Sequence, residues 1–412
     1  MLNIRKYILI LLFFVLNFSL LFGGDIHILG PMTIRHLSVP VLLGIALFPK
    51  GEASKTSKAK FWYFLYLALY IVANVVNREY TTHSFVQSLL TYHAPSIGVI
   101  LALPVILRGK NNLEYFTKSL IILYCINAAF TALEYVNYKP AWEIARLISS
   151  STEEGIYKAD MYTDDAGSLW GYSIIGGIMG SVVQNGYFSA TFLPVVSYRL
   201  LKHKGKDTLV GLLMFMVGVL VISITQQRMA FVSLVIYAIF LFFLVAKIEN
   251  KVFLIFLAIF LSIYAISLEH INWGRLAGSA NITSRFLLFD RFFEFINTKA
   301  FWYGGAVKFL ETYEKAQHNT FLAAWVLGGV FTFIVFCVLY FKLLRDCIVR
   351  ISENIKRSYS HPYTICYAVA AIIFMIYSLT HSAGIQSGSP MFWIAFTAMI
   401  VAVNKETSDE SS

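Results

Sequence analysis

Long, uninterrupted apolar runs restrict the fold of this chain more than any other feature. A helix that crosses the hydrocarbon core of a bilayer, about 30 Å thick, needs about 20 mostly apolar residues. Because lipid cannot satisfy free backbone polar groups, continuous runs of this length predict helices rather than barrel strands. We therefore expect an all-α integral membrane bundle of about 12 transmembrane helices, forming a single domain over residues 1–412. The runs lie at 7–24, 28–48, 61–77, 85–107, 119–137, 173–198, 208–226, 229–246, 252–268, 319–341, 362–380 and 390–403.

The composition excludes a soluble enzyme, a disordered chain and a coiled coil. Hydrophobic residues make up 58% of the chain and charged residues 14%, whereas soluble domains average about 45–50% and about 25%. The net charge of +10 is distributed in short clusters between the apolar runs, so no basic patch for nucleic acid is expected. The 4 cysteines have no metal-ligand spacing, and we expect no metal.

The Lys and Arg residues also predict an orientation. If the N-terminus is cytoplasmic, 21 of the 33 Lys and Arg residues fall in cytoplasmic segments, as the positive-inside rule requires. This places both termini in the cytoplasm and keeps the first run as an uncleaved helix, since no A-x-A-like cleavage site follows it. The two longest outer segments are 138–172 and 269–318, the second of them partly helical. Polar clusters there are the expected place for function.

Arg285 is the first candidate in the longer outer segment. Thr283 or Ser284 is a suitable N-cap for a helix from Arg285 to Ile296. On that helix Arg285 lies opposite a polar stripe. Either its charge simply reaches the membrane interface, or its guanidinium binds a lipid-linked phosphate or diphosphate. The stripe consists of Asp290, Arg291 and Glu294.

Arg228 and His318 are placed at the same predicted face. The run 208–246 is too long for one crossing, so Gln226-Gln227-Arg228 near its middle predicts a turn at the outer boundary. Arg228 either marks this turn or binds an anion. His318 precedes an outer span end and has a pKa suited to a general base. Spacing alone favours the other interpretation, in which His318-Asn319 caps a helix beginning at Thr320.

Arg35-His36 lie inside the second apolar run, where ionisable side chains are costly and face a bundle interior or a wet cavity. Pairing with a carboxylate such as Glu134, or a contact with substrate, would explain them equally well. Asp164-Asp165 have no third ligand at useful spacing and are assigned to a solvated loop.

Three motifs in order resemble the O-antigen polymerase and O-antigen ligase superfamily. Gln317-His318-Asn319-Thr320-Phe321-Leu322, followed by Gly328-Gly329, resembles its His-Asn-x-x-Leu…Gly signature. Thr283-Ser284-Arg285, with the Phe-rich helix and Trp302-Tyr303-Gly304-Gly305, resembles its Ser-Arg…Gly-x-Gly approach to that histidine. Gln226-Gln227-Arg228-Met229-Ala230 resembles its Ser-Arg turn, with Gln227 in place of the commoner Ser. Gly171 and Gln184-Asn185-Gly186 lie where members often carry Gly…Pro-Asn-x-x-Ala, without the Pro.

The resemblance implies a glycosyltransferase-C-like enzyme of the bacterial inner membrane that needs neither metal nor other cofactor. Its donor would be an undecaprenyl-diphosphate-linked glycan on the periplasmic side. Arg228 and Arg285 match the arginines that bind the donor diphosphate, and His318 matches the proposed base. Arg275, Arg35 and Asn319 are further candidates for the site.

The expected function is an O-antigen polymerase, which transfers the growing glycan to a lipid-linked repeat unit. The many Phe and Tyr residues and the departures from the commoner motifs favour it over a ligase, whose acceptor is the lipid A core. A polysaccharide flippase or other transporter is a further alternative, although the chain has no matching halves. The expected partners are the lipid-linked donor, a glycan or lipid A core acceptor, membrane lipid and a chain-length regulator.

Overall fold

The computed structural model is helical throughout most of its described length. It describes residues 2–23, 26–29, 32–47, 58–78, 85–86, 88–136, 138–148, 176–179, 182–202, 205–225, 227–245, 280–313, 319–356, 362–380 and 384–409. The chain divides into two compact units. Unit 1 comprises residues 1–119 and 280–412, and unit 2 comprises residues 120–279.

Fifteen α-helices and one short hairpin are named here in chain order within the described ranges. They are α1 (Leu2–Leu21), β1 (His27–Leu29), β2 (Met32–Thr33), α2 (Ile34–Leu47), α3 (Ala59–Val76), α4 (Ala94–Ile106), α5 (Asn112–Tyr135), α6 (Lys139–Ile148), α7 (Val182–Val196), α8 (Gly205–Thr225), α9 (Arg228–Val245), α10 (Ala280–Ile296), α11 (Ala300–Tyr303), α12 (Ala306–Tyr313), α13 (Thr320–Lys356), α14 (Pro362–Ser378) and α15 (Pro390–Asp409). A π-helix (Ser88–His93) leads into α4, and 3-10 helices cover Gly177–Met179, Tyr198–Lys202 and Ile385–Ser387.

The prediction of an all-α membrane protein is confirmed at this coarse level. Of the described helices, 6 are long and apolar enough to cross a membrane, and 4 shorter apolar helices accompany them. Every predicted apolar run overlaps a helix except 252–268, which lies outside the described residues. A total of 12 spans stays a prediction.

Three predicted boundaries were wrong. The run 28–48 begins with the antiparallel pair of β1 and β2 before α2 starts, because Gly30-Pro31 favours a turn and Pro31 has no N–H to donate. The helix predicted from Arg285 begins at Ala280, since no Gly or Pro interrupts the preceding residues. The helix expected over 319–341 continues as α13 to Lys356, with a kink at Gly329.

The core of unit 1 surrounds α14, which is buried along nearly its whole length. A helix that is apolar on all sides is stable only inside a bundle. It packs against α13 and α15, while α13 packs along α3, and α2 packs along α4. The part of α13 after Gly329 runs antiparallel to α3: the ring of Phe336 lies 5.5 Å from that of Tyr66, and Nζ of Lys342 lies 5.7 Å from the ring of Trp62. The part before Gly329 folds back on it, with the ring of Phe321 4.8 Å from that of Tyr340.

In unit 2, α7 packs against α8 and α9. Two glycines on α8 permit close approach: a Cβ at Gly211 would lie 2.5 Å from the backbone N of Leu200, and one at Gly218 would lie 2.7 Å from the hydroxyl of Tyr124. Small residues at such contacts let backbones approach closely, as is common between helices in lipid.

Candidate functional site

The first turn of α13 is held by the residue that directly follows His318. The Oδ1 of Asn319 accepts hydrogen bonds from the backbone N–H groups of Phe321, at 2.9 Å, and Leu322, at 3.2 Å. Its Nδ2 donates to the carbonyl of Leu379, at 2.9 Å, at the end of α14. The prediction that Asn319 caps a helix beginning at Thr320 is confirmed. The same side chain therefore fixes α13 to α14.

A second set of hydrogen bonds anchors this helix start to the core. The hydroxyl of Thr320 donates to Oε1 of Gln386, which belongs to the 3-10 helix before α15. The hydroxyl of Tyr66, on α3, donates to the backbone carbonyl of Gln386 at 2.7 Å. All three side chains are buried. Neither Tyr66 nor Gln386 was singled out from the sequence, because Tyr66 lies within an aromatic-rich apolar run and Gln386 within a short Ser/Gly-rich segment typical of a loop.

Backbone contact between two glycine pairs joins α11 to α13. The N–H of Gly305 donates to the carbonyl of Val326 at 2.8 Å. A Cβ at Gly304 would lie 2.9 Å from the backbone N atoms of both Gly328 and Gly329. Gly329 itself has φ 78° and ψ −173°, a combination that essentially only glycine adopts. The glycines of two of the resembling motifs therefore meet in unit 1.

Helix α10 packs on the same part of α13 through aromatic side chains. Phe292 is 1% exposed and its ring centroid lies 5.7 Å from that of Trp325. The Nε1 of Trp325 donates to the carbonyl of Phe301 at 3.1 Å. The helical repeat puts position 285 about two turns before Phe292 on the same face. The backbone at Arg285 is therefore part of the helix that docks on α13.

The polar stripe of α10 faces away from this contact, as predicted. Asp290 and Glu294 are exposed. Arg291 donates to the carbonyl of Tyr313 at 3.2 Å, and its guanidinium lies 5.7 Å from the ring centroid of Tyr313. Desolvation and the neighbouring Glu294 raise the pKa of the Tyr313 phenol above its ordinary value. The stripe ties α10 to α12.

The predicted charged residues are described to different extents. Arg228 is the first residue of α9, and Arg285 lies within α10; for both, the description covers the backbone and not the side chain. His318 and Arg275 lie outside the described residues, as do Asp164 and Asp165. The role of each in a site stays a prediction.

Arg35 and His36 lie at the hairpin and the start of α2. Arg35 is 6% exposed, donates to the carbonyl of Leu21 at 3.3 Å, and lies 5.6 Å from the ring centroid of Tyr92. The Nδ1 of His36 accepts from the backbone N–H of Thr33 at 2.8 Å. Because Nδ1 is an acceptor, the geometry assigns the neutral tautomer with its proton on Nε2. Arg35 is confirmed to be interior in unit 1.

In unit 2, a buried network of amides and hydroxyls joins α5 to α7. The Nδ2 of Asn127 donates to Oδ1 of Asn185 at 2.7 Å, and Nδ2 of Asn185 donates to the hydroxyl of Thr131 at 3.0 Å. The hydroxyl of Ser189 also donates to Oδ1 of Asn185, at 3.1 Å. This network was not predicted from the sequence. The signal that could have revealed it is the spacing of four residues between Asn127 and Thr131 and between Asn185 and Ser189, which puts the polar side chains on one face of each helix.

Glu134 extends this polar face by one turn. Its carboxylate is 2% exposed and accepts the backbone N–H of Gly177 at 2.8 Å. Gly177 has φ +55°, and a Cβ there would lie 2.6 Å from the hydroxyl of Thr131 and 2.7 Å from Oδ1 of Asn127. Only glycine can bring its N–H to the carboxylate at this position. Buried polar groups of this kind add specificity to helix packing in lipid.

Comparison with protein-family models and with curated proteins gives no match to this chain. Among the residues that the structure describes, no group of three or more His, Cys, Asp or Glu side chains is arranged to hold a metal ion.

Proposed function

We propose that this chain is an O-antigen polymerase with a glycosyltransferase-C-like arrangement, acting on undecaprenyl-diphosphate-linked glycans at the periplasmic face of the bacterial inner membrane. The observation that carries the proposal is the backbone contact of Gly304-Gly305 with α13 at Gly328-Gly329. It joins two glycine pairs that lie on either side of His318 in the sequence, with Gly304 and Gly328 separated by 24 positions.

The packing of α10 supports the same proposal. Through Phe292 and Trp325 this helix docks on the first turns of α13, and α13 follows His318 directly in the chain. An arginine carried by α10 and a histidine that precedes α13 therefore belong to segments that pack together. Such rigid elements hold reacting groups better than free loops do.

In the proposed reaction, the hydroxyl oxygen of the acceptor sugar attacks the anomeric carbon of the donor glycan. The new glycosidic bond forms as the bond between that carbon and the diphosphate oxygen breaks, and undecaprenyl diphosphate leaves. His318 takes the proton of the hydroxyl. Arg228 and Arg285 bind the diphosphate and stabilise the charge that develops on it. Direct displacement inverts the anomeric configuration, and a product that retains it would refute this mechanism.

A lipopolysaccharide gel of a deletion strain tests the proposal, together with extraction of its undecaprenyl-linked glycans. Core bearing a single repeat unit, without a ladder, identifies the polymerase. Bare core with long lipid-linked polymer identifies the ligase instead. Complementation with the wild-type chain should restore the ladder.

Single-site variants test the assigned residues in the same strain. Arg228→Gln, Arg285→Gln and His318→Ala should each abolish the ladder at normal protein level. Lys299→Gln is the matched control for Arg285, because it removes one positive charge from an exposed position of the same segment. It should leave the ladder intact. Normal ladders in all three site variants would refute the catalytic assignment.

A further inference from the structure

A cationic cleft lies at the end of unit 1 where α3 begins and α15 ends. Its volume is about 190 Å³, more than ten times the roughly 10–15 Å³ that a cavity needs to hold one water molecule. Lys342 follows Thr320 by 22 residues in the sequence, but the break at Gly329 folds the two parts of α13 together, so that the ring centroids of Phe321 and Phe341 lie 6.2 Å apart. None of the residues that line the cleft is among those assigned to the proposed reaction.

Four cations and one carboxylate line this cleft. Lys342, Arg345 and Arg350 come from one face of α13, and Lys58 comes from the residue before α3; Asp346 is the carboxylate. Arg345 and Asp346 follow Lys342 at spacings of three and four residues, and Arg350 follows Asp346 at a spacing of four, which places these side chains on neighbouring parts of one side of the helix. The lining therefore carries a net charge of +3.

Within the described residues, the carboxylates near the cleft leave most of this charge uncompensated. Arg350 is paired with Glu353 at 2.8 Å, in an exposed ion pair. Lys58, Lys342 and Arg345 form no ion pair with a carboxylate within the described part of the chain. Gathering like charges in one cleft is unfavourable without a counter-anion. Arg and Lys side chains together are the usual ligands of phosphate groups.

The surroundings of the cleft fit a lipid better than a soluble anion. Ile400 and Val403 form an apolar wall within it. On α13, next to the cations, Phe341 is 60% exposed and Ile348 is 52% exposed. Exposed apolar side chains beside a membrane-embedded helix are positioned to contact acyl chains. The Nζ of Lys342 lies 5.7 Å from the ring centroid of Trp62, a contact typical of the headgroup level.

The predicted location of the cleft also favours a lipid as its ligand. The segments that contribute to it are those to which the distribution of Lys and Arg assigns a cytoplasmic position. Basic pockets between helices on that side bind the headgroups of anionic lipids. We propose that this cleft binds the phosphate group of an anionic phospholipid in the cytoplasmic leaflet.

Lipid binding to the purified full-length protein in neutral detergent tests the site. Native mass spectrometry would compare phosphatidylglycerol and cardiolipin with phosphatidylcholine. The double variant Lys342→Gln/Arg345→Gln should bind the anionic lipids about tenfold more weakly or worse, since each contact to a charged group contributes substantially. Phosphatidylcholine binding should not change. Raising NaCl from 50 to 500 mM should weaken anionic lipid binding to the wild-type protein.

The control is Lys110→Gln/Lys206→Gln, which removes two exposed charges from predicted cytoplasmic segments outside the cleft. Equal loss of affinity in both double variants would overturn the site, as would wild-type affinity in the cleft variant. Both proteins should elute from size exclusion like the wild type, so that unfolding is distinguished from lost binding. Inorganic pyrophosphate is the soluble probe. Binding of pyrophosphate that depends on Lys342 and Arg345, without preference for anionic lipid, would overturn the lipid assignment in favour of a free phosphate compound.

Discussion

Replacing Gly329 with alanine probes the contact on which the proposed site depends. Gly329 combines φ 78° with ψ −173°, and its Cα faces the backbone of α11. An added Cβ would lie 2.5 Å from the backbone N of Tyr303 and would overlap the carbonyl of Trp302. Real Cβ atoms essentially never approach other heavy atoms within 3.0 Å. Either α11 moves away from α13, or the kink in α13 changes.

The expected loss of stability is about 3 kcal/mol. A residue other than glycine in this backbone region costs about 1–3 kcal/mol. Separation of α11 from α13 would also break the hydrogen bond from Gly305 to Val326, which contributes about 1 kcal/mol. Gly44→Ala is the matched control, because a Cβ at that helical position meets nothing within 4 Å. It should be neutral or stabilising by up to about 1 kcal/mol.

Thermal unfolding of the purified protein in detergent, followed by tryptophan fluorescence, measures the effect. Trp302 and Trp325 lie beside the contact and report on it directly. Gly329→Ala should lower the unfolding midpoint and reduce the glycan ladder in complemented cells, whereas Gly44→Ala should do neither. A Gly329→Ala protein that unfolds at the wild-type temperature would refute the claim that this backbone contact is close.

Three further predictions concern the same unit. Asn319→Ala should destabilise the protein by about 1 kcal/mol or more through the lost helix cap, whereas Asn319→Asp keeps the cap acceptor but loses the donor to the carbonyl of Leu379 and should melt between Asn319→Ala and the wild type; equal melting of the two variants would contradict the capping role. Tyr66→Phe leaves a buried carbonyl without its donor and should lower stability by about 1–3 kcal/mol, while Tyr7→Phe, at a position 65% exposed, should melt like the wild type. In a cysteine-free background, Lys308→Cys should react with an impermeant maleimide in intact spheroplasts and Lys110→Cys only after permeabilisation; the reverse pattern would refute the predicted orientation.

Much of the fold could be predicted because the deciding forces are local in sequence. An apolar run of about 20 residues in lipid must satisfy its own backbone, and a helix is the way to do so within one segment. The start of α13 could also be predicted from the sequence, because the capping hydrogen bonds of Asn319 involve only the nearby N–H groups of Phe321 and Leu322. The residues proposed for catalysis were identified from spacing and resemblance, and their roles remain predictions.

The errors in the sequence reading came from competition between local signals. Thr283 and Ser284 are good N-caps, but α10 begins before them, because helix-compatible residues precede them. The run 28–48 is apolar enough for a helix, yet the described residues of its first part pair as the strands β1 and β2, as the turn-favouring Gly30-Pro31 sequence would allow. Hydropathy alone does not distinguish these outcomes.

By itself, then, the sequence determined that this is a helical membrane protein, where most of its helices lie, and how α13 is capped. Only the tertiary structure decided which distant residues meet. Tyr66 reaches Gln386 across 320 positions, Gly329 meets Trp302, and Lys58 shares a cleft with Lys342. Each of these contacts depends on which helices are neighbours in the bundle, and no local sequence pattern specifies that. Many pairs of apolar helix faces could pack together, and the shapes of the side chains and the positions of the glycines select one arrangement.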